Sequence, residues 1–177
     1  MGMKEHAHFV QFYDEDSALI ESVAGFLESG LRAGAACIVI ATPGHRASLG
    51  ARLRSRGFDI DDAMTTGQYV ALDAKTVLTD LMVDGVPDRG KFDEVVEPVI
   101  ARAGLHFPRV LAFGEMVALL SRDGKHDLAV ALEKLWNKLA ARHAFSLFCA
   151  YPRSAFCADE RIALGNICNQ HSVVVAG

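Results

Sequence analysis

Short, uninterrupted apolar runs alternate along this chain with longer stretches in which apolar residues recur every three or four positions. A short apolar run such as Ala36-Cys37-Ile38-Val39-Ile40-Ala41 suits a strand of a parallel sheet covered on both faces. Further strands are predicted at His8 to Tyr13, Tyr69 to Leu72, Arg109 to Phe113, Phe145 to Ala150 and Ser172 to Ala176. The periodic stretches between them predict helices. One runs from Ser17 to about Leu31, with Leu19, Val23, Phe26, Leu27 and Leu31 on one stripe, and Asp14 is placed to cap it. The next starts at Pro43 and runs to about Arg56, just before Gly57, and a short one covers about Lys75 to Met82. Another carries Phe92, Val95, Val96, Val99 and Ile100 along one side. The segment 127–143 is the clearest amphipathic helix, its face formed by Leu128, Leu132, Leu135, Trp136 and Leu139, and Asp159 to about Asn169 is the last. Residues 84–92, DGVPDRGKF, combine two glycines and a proline with charges and predict a surface loop.

Repeated strand-then-helix alternation predicts an α/β fold, a mostly parallel central sheet with helices on both faces and right-handed crossovers. No internal repeat, low-complexity tract or linker divides the chain, so residues 1–177 are expected to form a single domain.

Composition narrows the function. With 177 residues, 51% hydrophobic and 23% charged, a sizeable core is expected rather than disorder. A net charge of −4 with no basic block predicts no direct nucleic-acid contact. No apolar run approaches the roughly 18 residues needed to span a bilayer. No leader pattern is visible, so a cytoplasmic protein is expected. Cys37, Cys149, Cys157 and Cys168 lack CxxC spacing, and in apolar runs a cysteine behaves as a small hydrophobe. Reduced thiols are expected. The absence of HxxxH, HExxH and CxxC spacing predicts neither a metal site nor a cofactor.

In an open parallel sheet, ligands bind beyond the carboxyl ends of the strands. That rule nominates Tyr13 and Asp14, residues 42–45 with His45, Asp73, residues 114–116 with Glu115, and residues 151–153 with Tyr151. Glu115 follows its strand where a phosphate-binding ATPase would hold magnesium through an acid. An alternative is that it caps the next helix or pairs with an arginine. The turn after the first strand, Tyr13-Asp14-Glu15-Asp16-Ser17, has no glycine or lysine and three acids, the opposite of a phosphate cradle. His8 lies at the other end of its strand, where capping or a core hydrogen bond is expected. Glu133 and Asn137, four apart on one helix, form either an ordinary polar stripe or a pair reaching a pocket or partner. Cys149, with His143 or His171, is the only arrangement resembling a covalent catalyst, and burial in an apolar strand would dull it. No GxSxG elbow occurs, and the chain is not expected to be an enzyme.

The blocks "HFVQFYDED", "FLESGLRAGAACIVIATPGHRASLGARLRSRGFDID", "GQYVALDA", "FGEMVALL", "LEKLWNKL" and "FSLFCAYP", in this order, resemble the MEDS domain, the methanogen/methylotroph DcmR sensory domain. The resemblance covers about residues 8–152, with 153–177 as a final helix and strand. It implies a RecA/KaiC-like three-layer sandwich that lacks the phosphate loop, serving as a sensor with hydrocarbon derivatives as proposed ligands. The family's recurring polar positions fall on His8, Tyr13, Glu115, Glu133, Asn137, Cys149 and Tyr151. Together with the strand-end rule, this nominates Tyr13, Asp14, His45, Glu115, Cys149 and Tyr151 for a small-molecule ligand. The resemblance further implies an output through a separate partner, such as a histidine kinase or transcription regulator, or through self-association. The alternatives are a divergent nucleotide-binding domain and a ligand-free interaction adaptor using the helix of Trp136.

Overall fold

The structure, a computed structural model, describes residues 6–176. Its elements run β1 (His8–Tyr13), α1 (Asp16–Arg32), β2 (Ala36–Ala41), α2 (Pro43–Ser55), α3 (Ile60–Thr65), β3 (Tyr69–Asp73) and α4 (Ala74–Leu81) in the first half. A hairpin of β4 (Met82–Val83) and β5 (Val86–Pro87) follows, then α5 (Arg89–Val95), α6 (Glu97–His106), β6 (Val110–Gly114), α7 (Met116–Arg122), α8 (His126–Ala140), β7 (Ser146–Pro152), α9 (Arg161–Cys168) and β8 (Val173–Val175). Six strands form one sheet in the order β3-β2-β6-β7-β1-β8, and every pairing in it is parallel.

Parallel strands need crossovers, and these crossovers bury the sheet on both sides. Helices α1 to α3 cover one face over Val39, Phe113 and Phe148. Helices α4 to α9 cover the other over Ile38, Ala112, Leu147 and Cys149. The result is a three-layer sandwich whose central strands β2, β6 and β7 are buried at every position. Side chains alternate between the two layers, so β1 sends Val10 and Phe12 to the α8 side and Tyr13 to the α1 side.

Several local expectations are revised. Residues 84–92 are not a loop throughout. Asp84 and Gly85 both take positive φ, 49° and 81°, the pair of left-handed residues that a two-residue hairpin turn requires. Asp88 then accepts a hydrogen bond from the Lys91 N–H at 2.9 Å and starts α5. The stripe from Phe92 to Ile100 belongs to two helices, because Pro98 lacks an N–H and its ring clashes with the carbonyl four residues back. Asp14 does not cap α1: Glu15 is the N-cap residue, and Asp14 stands exposed beside Arg153 Nε at 3.4 Å. Helices α3 and α7 were not legible because six or seven residues are too few to display a period.

Trp136, 1% exposed, lies edge-on to the Phe92 ring with centroids 5.2 Å apart. Its indole is core, not docking surface. Trp136→Ala should therefore lower unfolding stability by about 3–5 kcal/mol. Urea denaturation measures this, and a loss below about 1 kcal/mol would contradict the core role.

Candidate functional sites at the strand ends and under α8

The chain leaves β2 toward the α1–α3 layer and leaves β6 toward the α4–α9 layer. Neighbouring strands whose connections diverge open a crevice at their carboxyl ends. Glu115, the residue after β6, lies at this switch point and is 1% exposed. Its N–H donates to the Ile40 carbonyl at 2.8 Å, which ties the end of β6 to β2. One carboxylate oxygen accepts from the backbone N–H and hydroxyl of Thr42 at 2.8 and 3.1 Å. The other accepts from His45 Nδ1 at 2.8 Å and faces Arg122 Nη1 at 3.5 Å. Arg122, in the last turn of α7 and partly exposed, also donates to the Tyr13 hydroxyl at 2.8 Å. His45 Nε2 lies 3.3 Å from the exposed carboxylate of Asp16. Glu115 is thus a buried carboxylate whose partners come from the start of α2 and from α7, and Arg122 connects it to the surface.

A second polar centre lies under α8, between that helix and the sheet. Glu133 of α8 is 0% exposed. Its Oε1 accepts from the Tyr151 hydroxyl at 2.6 Å and lies 3.1 Å from His171 Nε2. Its Oε2 lies 3.1 Å from His8 Nε2 and 3.5 Å from Cys149 Sγ. His8 Nδ1 is 2.9 Å from Asn137 Oδ1, and His171 Nδ1 is 2.7 Å from the Ile167 carbonyl.

The nominated residues therefore divide. Tyr13, His45 and Glu115 come together at the strand ends. Cys149 and Tyr151 do not join them, because their positions on β7 face the α8 layer, where they meet His8, Glu133 and Asn137. Asp73 is occupied in capping α4 through the Thr76 N–H and in pairing with Arg46 at 3.2 Å. The arginine pairing foreseen for Glu115 is present. The helix-capping role is not, since no side-chain cap bond forms at α7. His8 makes the core contacts expected of it, and Glu133 with Asn137 turns inward rather than forming a solvated stripe. His143 is remote from Cys149 and binds Glu97 at 2.6 Å. Arg122 was missed altogether, because an arginine closing a short unrecognised helix carries no sequence signal. Although no metal-ligand spacing occurs in the sequence, ligand-type side chains converge here: His8, Glu133, Cys149 and His171 place their donor atoms within 4.8 Å of one another. Spacing rules find ligands close in sequence, whereas these come from β1, α8, β7 and the segment after α9.

The family model described as MEDS, MEthanogen/methylotroph, DcmR Sensory domain, matches residues 7–171. The chain belongs to this family. The match to the MEDS domain extends past Pro152 through α9 to His171, further than the sequence blocks reached, and so includes every residue of both polar centres. No curated protein matches the chain. MEDS domains are sensory domains, which gives this chain a sensory or regulatory role. Among the described residues no helix is long and apolar enough to cross a membrane.

Electrostatics separate the two centres of this MEDS domain. At the strand ends, the hydrogen bond to Glu115 raises the affinity of His45 for a proton; burial opposes this, and the Glu115 and Asp16 charges reinforce it. Burial pushes the Tyr13 hydroxyl up to about 12, so it stays a neutral hydrogen-bonding group. Under α8, burial alone would favour protonated Glu133, but the contacts from His171 and His8 outweigh it and hold the carboxyl well below its usual range. Burial, then the charge of Glu133, pushes the Cys149 thiol and the Tyr151 hydroxyl well above their ordinary values. A thiol held in that state is a poor nucleophile.

Two predictions follow from these states. Because folding raises the His45 pKa above its ordinary 6.5, its pairing with Glu115 stabilises the fold fully below that value. The contribution is lost as pH rises through the higher folded-state value. Urea midpoints measured from about pH 6 to about pH 8.5 should fall more steeply in the native protein than in His45→Gln. Parallel profiles would contradict the assignment. Separately, Tyr151→Phe removes a donor from a buried carboxylate and should cost about 1.5–3 kcal/mol in the same assay.

Proposed function

We propose that this MEDS domain is a non-catalytic sensor that receives a small, weakly polar organic molecule, such as a hydrocarbon derivative, in the strand-end crevice around Tyr13, His45 and Glu115. Binding is passed through α7 to a separate partner, a histidine kinase or transcription regulator, or to a second copy of the chain. The observation that carries this reading is the position of Arg122. It bridges Tyr13 and Glu115 from the last turn of α7 and is itself partly exposed. A ligand with a hydroxyl, carbonyl or halogen can take one of these contacts and free the arginine. Freeing it shifts α7 relative to β1, and a switch needs only such a difference in affinity between two states, typically about 1–3 kcal/mol of coupling.

Charge argues against the divergent nucleotide-binding alternative. Asp14, Glu15 and Asp16 stand exposed around the start of α1, where a phosphate would need N–H groups and cations. The adaptor alternative would have to use the exposed side of α8, since Trp136 itself is buried.

Thermal unfolding against short alcohols, halogenated hydrocarbons and other one-carbon compounds, beside ATP and ADP with and without magnesium, tests the proposal. A ligand at a hundred times its dissociation constant adds about 2.7 kcal/mol, a shift on the order of 5–10 °C for a chain of this size. At least one small organic should give such a shift, and Glu115→Gln and Arg122→Ala should each reduce it. A shift with magnesium nucleotide alone, or one untouched by both substitutions, would overturn the site.

A further inference from the structure

We propose that His8, Glu133, Cys149 and His171 form a binding site for one divalent transition-metal ion of zinc's class. This rests on the centre under α8 and is independent of the ligand placed at the strand ends.

The first argument is the orientation of the donors. Asn137 Nδ2 donates to the Gln170 carbonyl at 2.9 Å, so its oxygen is the atom turned to His8. His8 Nδ1 must then carry the proton. His171 Nδ1 faces the Ile167 carbonyl at 2.7 Å, which only accepts, so this nitrogen too carries the proton. With both rings neutral, the Nε2 lone pairs are aimed inward at the carboxylate oxygens of Glu133, each at 3.1 Å, and that of His8 also faces Cys149 Sγ at 3.4 Å. Lone pair facing lone pair is repulsive unless positive charge lies between them. The His8 and His171 ring centroids are 4.0 Å apart, so both inward nitrogens reach the same small space. In addition, His171 Nε2 is fully buried and makes no geometrically sound hydrogen bond. A single cation among the donors removes both difficulties.

The second argument is the donor set and its spacing. Two imidazoles, one thiolate and one carboxylate suit zinc and its borderline neighbours, and exclude magnesium and calcium, which require oxygen ligands. Bonds of ~2.0–2.3 Å in a tetrahedron put neighbouring donors ~3.3–3.8 Å apart. Here His8 Nε2 lies 3.4 Å from Cys149 Sγ and 3.1 Å from Glu133 Oε2, Cys149 Sγ lies 3.5 Å from the same oxygen, and all four donors fall within 4.8 Å. The outer contacts are those of a metal centre as well: Asn137 and the Ile167 carbonyl orient the two imidazoles, and the Tyr151 hydroxyl supports the carboxylate. A cavity of about 320 Å³ lined by His6, His8, Asn137 and Gln170 reaches the His8 side of the centre and provides an entry path.

On uptake the ion displaces the Cys149 thiol proton to solvent. The loaded centre then contains a divalent cation, one thiolate, one carboxylate and two neutral imidazoles, with no net charge. A buried neutral centre of this kind ties β1, β7, α8 and the chain after α9 together.

The test is cobalt titration of untagged, chelator-treated protein, with elemental analysis of the protein as purified. We expect one equivalent of Co²⁺ per chain, a thiolate-to-cobalt charge-transfer band, the intense visible bands of a tetrahedral ion, and displacement by Zn²⁺. Cys149→Ser should abolish the charge-transfer band at unchanged far-ultraviolet circular dichroism. Asn137→Ala, which changes only the outer contact, should weaken Zn²⁺ binding about 10–100-fold. A Cys157→Ser, Cys168→Ser double variant removes the more accessible thiols and should titrate like the native protein. If Cys149→Ser does not fold, that double variant decides alone, since its band requires a buried thiol. Folded native protein without the tetrahedral spectrum, or a band lost in the double variant, would overturn the proposal.

Discussion

A parallel sheet buried on both faces leaves a polar side chain only two tenable places. It can sit at the strand ends, where the crevice meets solvent, or it can lie in the interior with every lone pair and proton accounted for. Both are used here. Glu115 takes the first, with Thr42, His45 and Arg122 around its carboxylate. Glu133 takes the second, fully enclosed by Tyr151, His8, Cys149 and His171. The all-parallel topology produces both situations, because each crossover that seals a face also decides which strand ends diverge.

The two centres differ in what they can report. The strand-end network includes partly exposed Arg122 and exposed Asp16, so solute and pH reach it directly. The interior centre is buried, with the Glu133 carboxyl held low by its imidazole contacts and the Cys149 thiol pushed up by burial, and it joins elements far apart in sequence. An anion buried without compensating positive charge would cost several kcal/mol. The group that supplies that charge therefore controls how tightly α8 and the chain after α9 are held against the sheet. For a sensory domain this arrangement is useful, since β1 contributes Tyr13 to one centre and His8 to the other.

Much of the architecture was legible along the chain. Continuous apolar runs identified the central strands, because a strand covered on both faces has no polar side to show. The stripe of Leu132, Leu135, Trp136 and Leu139 identified α8. The hairpin at Asp84-Gly85 was missed although its dipeptide is a turn signal, since the flanking strands are only two residues long. The break at Pro98 was also on the page, but the apolar stripe continued across it and masked it.

The candidate sites were legible only in part. The strand-end rule requires nothing beyond strand boundaries, and it located Tyr13, His45 and Glu115. It could not say that Tyr151, nominated by the same rule, turns to the other layer, because that depends on where along β7 the strand leaves the sheet. Sequence by itself determined the six strands of the main sheet, the longer amphipathic helices, the acidic turn in place of a phosphate cradle, and the set of polar residues that needed partners. Tertiary structure alone decided the partners. His8, Glu133, Cys149 and His171 are separated by up to 163 positions and converge because β1 pairs with β7 while α8 and α9 pack over that pair. Local pattern reports the burial of a side chain, which is a property of its own element. The company it keeps follows from crossovers that join distant elements, and these leave no periodic trace in the sequence.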